Sequence, residues 1–102
     1  MQLIQLFLPL CDNDGNSFPT QTLDLVRNEL TEAFGGVTAF RSSPAEGVWR
    51  ERGGELSRDE IVVFEVMTER LDRHWWQQYR TRLEQRFRQE RLVIRATQIE
   101  LL

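Results

Sequence analysis

With 102 residues, 40% of them hydrophobic and 28% charged, this chain has the composition of one soluble globular domain, residues 1–102, long enough to bury roughly two thirds of its unfolded surface. A net charge of −3 argues against nucleic acid as a partner, and no run approaches the ~20 apolar residues of a membrane span. All thirteen basic residues are arginine, which excludes lysine nucleophiles and Schiff bases, and one histidine excludes a His-based triad or a two-histidine metal site.

The first stretch, Gln2–Leu10, alternates as a strand, with Ile4, Leu6 and Leu8 on one face and Leu3, Gln5 and Phe7 on the other. It lacks the basic start and small-residue cleavage site of a signal peptide. The lone Cys11 cannot close an internal disulfide, which favours a reducing, cytoplasmic setting. The Asp/Asn/Gly-rich segment after it reads as an Asx turn rather than a calcium loop. Its glycine is misplaced, and Leu23 stands where a bidentate glutamate is needed.

A helix is predicted over Thr20–Phe34, with Thr20 as N-cap, Gly35-Gly36 as left-handed stop, and Leu23, Val26, Leu30, Ala33 and Phe34 along its buried side. Leu25 falls opposite and is expected to be exposed. Val37–Arg41 and Val48–Arg52 read as two parts of one kinked edge strand interrupted at SSPAEG. That strand forms an extended hairpin with Asp59–Thr68, whose almost unbroken apolar run from Ile61 to Met67 is interrupted only by Glu65. A second helix is predicted from the cap at Asp72 to about Gln89, with Trp76, Tyr79, Leu83 and Phe87 as its apolar stripe. A last strand spans Arg91–Leu101, with Leu92, Ile94 and Ala96 facing the core.

The order β-α-β-β-α-β specifies an α+β, ferredoxin-like sandwich: an antiparallel sheet, both helices on one face, the first and third strands central. The face without helices then carries Leu3, Gln5, Phe7, Ile61, Val63, Glu65, Met67, Val93, Arg95, Thr97 and Ile99. This mixture is too apolar for water and too polar for a core, so the chain is expected to form a homodimer through this face or its edge strands.

Glu65 and Arg95 are the leading candidates for chemistry. In an apolar cavity the carboxylate would serve as an acid or base; at an interface the two would be a structural ion pair. With Gln5 they would be the polar groups of a ligand cavity, with Arg41, Trp49 and Arg50 at its mouth for a small anionic ligand. Cys11 sits beside Asp12 and Asp14, which oppose thiolate formation. His74 points away from the apolar stripe. The arginines of the second helix alternate with glutamates in the manner of a solvated face, not an RNA-binding one. No cofactor motif is present.

Gly35-Gly36-Val37-Thr38, then Gly47-Val48-Trp49, a Gly-Gly turn and an acidic-apolar strand resemble a set of small bacterial proteins of unknown function. The layout is also similar to the dimeric α/β-barrel group, which includes antibiotic-biosynthesis monooxygenase-like proteins. The first resemblance implies no activity. The second implies a small-ligand binder or enzyme with its cavity on the open sheet face, although none of that group's diagnostic catalytic residues is present.

Overall fold

The computed structural model describes the backbone of residues 1–50 and 56–102 and the side chains of residues 1–40 and 60–102. Two apolar strands make its centre. Strand β1 (Gln2–Pro9) runs antiparallel to β3 (Leu56–Thr68), with Leu6 opposite Phe64 and Gln5 opposite Glu65. Because side chains alternate between faces, Ile4, Leu6, Leu8, Val62, Phe64 and Val66 all point to one side, where each is at most 2% exposed. Strand β2 (Thr38–Arg50) flanks β3 and β4 (Ile94–Gln98) flanks β1, giving the order β2-β3-β1-β4. With helices α1 (Thr20–Phe34) and α2 (Arg73–Arg86), the element order is β-α-β-β-α-β and the fold is ferredoxin-like, as the sequence predicts.

The kink expected in the second strand is a register slip between Phe40 and Ala45 within one continuous strand, rather than a break in it. The hairpin partner begins at Leu56, earlier than the predicted Asp59.

Helix α1 has the predicted limits, and Leu23, Val26 and Leu30 are buried while Leu25 is 47% exposed. Its N-cap is Pro19, not Thr20. The Thr22 N–H donates to the Pro19 carbonyl at 3.0 Å, and no side chain caps the end. Ala33 lies outside the buried stripe and is exposed. Gly35, at φ 81°, ends the helix by donating its N–H to the Thr31 carbonyl.

Asp72 caps α2 as predicted, its Oδ1 accepting from the Trp75 N–H at 3.1 Å. Trp76, Tyr79, Leu83 and Phe87 are buried against the sheet, with Phe18 edge-on to Phe87. The helix stops at Arg86 rather than Gln89. Arg88 takes φ 52°, and the Gln89 N–H turns back to the Glu84 carbonyl. The chain then tucks Leu92 into the core, where its N–H donates to Glu84 Oε2.

Strand β4 is correspondingly shorter than Arg91–Leu101, and Ala96 is exposed rather than covered. As the outermost strand, β4 is separated from α2 by an open cleft of about 220 Å³ lined by Trp76, Gln77, Ile94 and Ala96.

The helices are tied by a carboxylate on α1. Glu29 accepts from the Tyr79 hydroxyl at 3.0 Å and from both terminal nitrogens of Arg86 at 2.6 and 3.1 Å, with Arg82 at 3.8 Å. The bidentate Arg86 contact holds the Glu29 carboxyl below its ordinary value despite partial burial, while burial pushes the Tyr79 hydroxyl up. A depressed carboxyl contributes stability above its unfolded value, near 4.5, and loses it as pH falls through the folded value. Removal of the guanidinium in Arg86→Ala is therefore expected to cost about 2 kcal/mol near neutrality. Glu29→Gln should flatten the fall in urea midpoint as the pH is lowered from 5 to 3; an unchanged acid limb would mean that Glu29 is not a main acid-sensitive tie.

Candidate functional site

The face of the sheet away from the helices carries a polar row that crosses three strands. Glu65 on β3, Gln5 on β1 and Arg95 on β4 are register partners, and alternation turns all three outward. The Gln5 amide bridges them: Nε2 donates to Glu65 Oε2 at 2.7 Å, and Oε1 accepts from Arg95 Nε at 2.7 Å. The Arg95 guanidinium also lies 4.9 Å from the centre of the Phe7 ring. Glu65 and Gln5 are half-buried and Arg95 is exposed.

These are the three polar residues singled out in the sequence, brought together with one difference. Glu65 and Arg95 make no direct ion pair, because β1 lies between their strands and Gln5 occupies the space. An amide suits that place, since it offers a donor to the carboxylate and an acceptor to the guanidinium at once.

Above and below the row the surface is apolar on β1 and β3, with Thr97 beside Leu3 on β4. Leu3 and Met67 are register partners on one side, Phe7 and Val63 on the other, where Val93 is joined to Phe7 by a backbone bond. Met67 is 51% and Val93 54% exposed. Phe40, opposite Val63 on β2 and 47% exposed, extends the patch. Sequence reasoning missed Phe40, since its face depends on the β2–β3 register ahead of an irregular segment. The role of Phe7 beneath Arg95 was legible only as alternation.

The proposed mouth residues Arg41, Trp49 and Arg50 lie outside the residues whose side chains are described. The backbone register pairs Trp49 with Ser57 and Arg50 with Leu56, toward the far end of the hairpin from Glu65, which faces Thr38.

Other candidates are absorbed by the fold. Asp12 Oδ1 accepts from the N–H groups of Asp14 and Asn16 at 2.9 Å each, the Asx turn expected, and the Asn16 contact leads in holding its carboxyl low. Cys11 is half-buried with Sγ 3.9 Å from Ser17 Oγ. His74 is exposed. Trp75 packs on Phe34, Trp76 and Tyr79, so most of its ring serves the helix pair. Arg80, Arg82, Arg86 and Arg88 each face a carboxylate. Among the described residues no group of three or more His, Cys, Asp or Glu side chains is placed to hold a metal, and no helix is long and apolar enough to cross a membrane.

No protein-family profile and no curated protein sequence matches the chain. Solved structures do resemble it. A phage SAM lyase in complex with S-methyl-5'-thioadenosine superposes with a TM-score of 0.68 at 17% identity, over 95% of this chain and 80% of the lyase. The divalent cation tolerance protein Cut A1 from Thermus thermophilus gives a TM-score of 0.64 at 16% identity, over 97% of this chain and 84% of that protein. At these identities the likeness is one of fold.

The bridging role of Gln5 predicts the behaviour of Gln5→Glu. Two ionised carboxylates would then stand on facing positions of β1 and β3, which costs about 0.2–1 kcal/mol. Made in an Arg95→Ala background, so that no ion pair with the guanidinium offsets the repulsion, Gln5→Glu should lower the urea midpoint relative to Arg95→Ala at pH 7, with the gap closing in acid as the carboxylates are neutralised. A gap independent of pH would mean that Gln5 does not face the Glu65 carboxylate in solution.

Proposed function

We propose that this chain is a small cytoplasmic bacterial protein that acts by association, as a homodimer joined through the open face of its sheet or as the accessory subunit of a larger assembly. The observation that carries this reading is the apolar surface around the Glu65–Gln5–Arg95 row. Phe40, Met67 and Val93 stand about half exposed on one face, next to the partly covered Leu3, Phe7, Ile61 and Val63. A contiguous patch of this kind with a polar stripe through it suits a contact surface. The fold core lies on the other side of the sheet, so covering this face costs the domain nothing internally.

Light scattering across a concentration series should give the mass of two 12.1 kDa chains for the wild type. Met67→Asp should give the mass of one while keeping the far-UV circular dichroism of the folded chain. A wild type that stays at one chain mass throughout, or an assembly that Met67→Asp leaves intact, would overturn the homodimer and leave only the accessory-subunit form of the reading.

A second reading, a small-ligand binder or enzyme of the dimeric α/β-barrel kind, draws on one observation. Glu65 also lines an open depression of about 500 Å³ with Leu3, Val37, Thr38, Met67 and the Gly35-Gly36 turn. The fold is shared with a protein solved with S-methyl-5'-thioadenosine, which makes that nucleoside a suitable first probe. Binding there should raise the melting temperature of the wild type and not of Glu65→Gln. No shift, or an equal shift in both, would count against a site at Glu65.

A further inference from the structure

The polar row has a direction, and that direction restricts how a second copy can dock. It runs carboxylate, amide, guanidinium across β3, β1 and β4, with Gln5 bonded to both neighbours at 2.7 Å. Among the described residues, Glu65 Oε1 and the two terminal nitrogens of Arg95 have no partner, so each end of the row keeps unused hydrogen-bonding capacity. Burying either end bare against an apolar surface would be costly.

Two sheets packed face to face about a twofold axis lie about 10 Å apart, within reach of a glutamate and an arginine extended from opposite sides. The axis lies between the sheets, and its orientation decides which charges meet. An axis across the strands, level with the row, sets Glu65 over Glu65 and Arg95 over Arg95 of the second copy. An axis parallel to β1 and above it exchanges the β3 and β4 sides. Glu65 of each copy then faces Arg95 of the other, with Gln5 near the axis. The same operation lays Val63 over Val93, Phe7 near Phe7 and Leu3 near Leu3, with Met67 of each copy over Thr97 of the other.

Resting on the proposed association through this face, we infer that the partner is a second copy of this chain, docked about a twofold axis parallel to β1, with Glu65 and Arg95 pairing reciprocally between copies as the residues that set the orientation. The pairing matches like surfaces on an isologous interface and leaves the Gln5 bridge in place.

The test uses the full chain and its variants, with dissociation constants from concentration-dependent sedimentation. Glu65→Arg and Arg95→Glu should each weaken self-association about tenfold or more, since each puts like charges face to face at both ends of the interface. An equimolar mixture of these two variants should associate as a heterodimer with affinity restored toward wild type. Two chains that had merely misfolded could not do that. Glu65→Gln should also weaken the dimer. If it leaves the dimer unchanged or tightens it while Met67→Asp still dissociates it, the axis inferred here is wrong and the sheet-face association stands. If the wild type does not self-associate, the inferred pairing and the homodimer fall together.

Discussion

The antiparallel pairing of β1 with β3 governs everything else in this molecule. Once Leu6 stands opposite Phe64, the period of two leaves no freedom: Ile4, Leu8, Val62 and Val66 must also lie under the helices. The same parity turns Gln5 and Glu65 outward. A slip of one residue would drive Glu65 into a core that holds no charged side chain among the described residues, and would expose Phe64. The register that gives the best core therefore also assembles the polar row. Arg95 joins because β4 follows the same parity on the other flank of β1.

Two carboxylates illustrate what position does to identical chemistry. Glu29 sits between helices, held by a bidentate arginine and a tyrosine hydroxyl, and works as an internal tie whose loss weakens packing. Glu65 sits on a sheet face with a single amide donor among the described residues. A partly hydrated contact of that kind contributes little to fold stability, since water would satisfy the same atoms. Its presence on the most apolar strand of the chain calls for another explanation, and orienting a docked surface supplies one.

Much of this was legible before any coordinates. The β-branched run around Glu65, the alternation in β1, the Asp72 cap and the Gly35 stop are local signals with one physical meaning each, and the elements formed at or near the expected limits. Apart from the α1 cap, which lies one residue earlier at Pro19, failures fell where the outcome depends on distant contacts. Helix α2 could have run on through Gln89 by propensity, but burial of Phe87 and Leu92 together requires the left-handed turn at Arg88. Ala96 has the parity of a core residue yet lies on an outermost strand beyond the reach of α2. Gln5, Glu65 and Arg95 were recognisable as one polar group on neighbouring strands, while the part the Gln5 amide takes as the bridge between the two charges rests on side-chain geometry. Phe40 was missed for a related reason, because a slip just after it hides which face its strand presents.

The composition of the open face can be argued one step further. A wholly apolar sheet face is adhesive without being selective, since sliding one copy along the strands by a pleat repeat of about 7 Å would bury almost the same area. A charged row through its middle changes that balance. In the proposed dimer, such a slide would bring Glu65 and Arg95 over the Leu3–Met67 or Phe7–Val63 rows, desolvated and without their counterparts, at a cost of several kcal/mol. Rotating the partner instead brings like charges together. The row thus adds little to the depth of the correct minimum and much to the height of its neighbours. On a flat, greasy surface, that is what separates one interface from a family of similar ones.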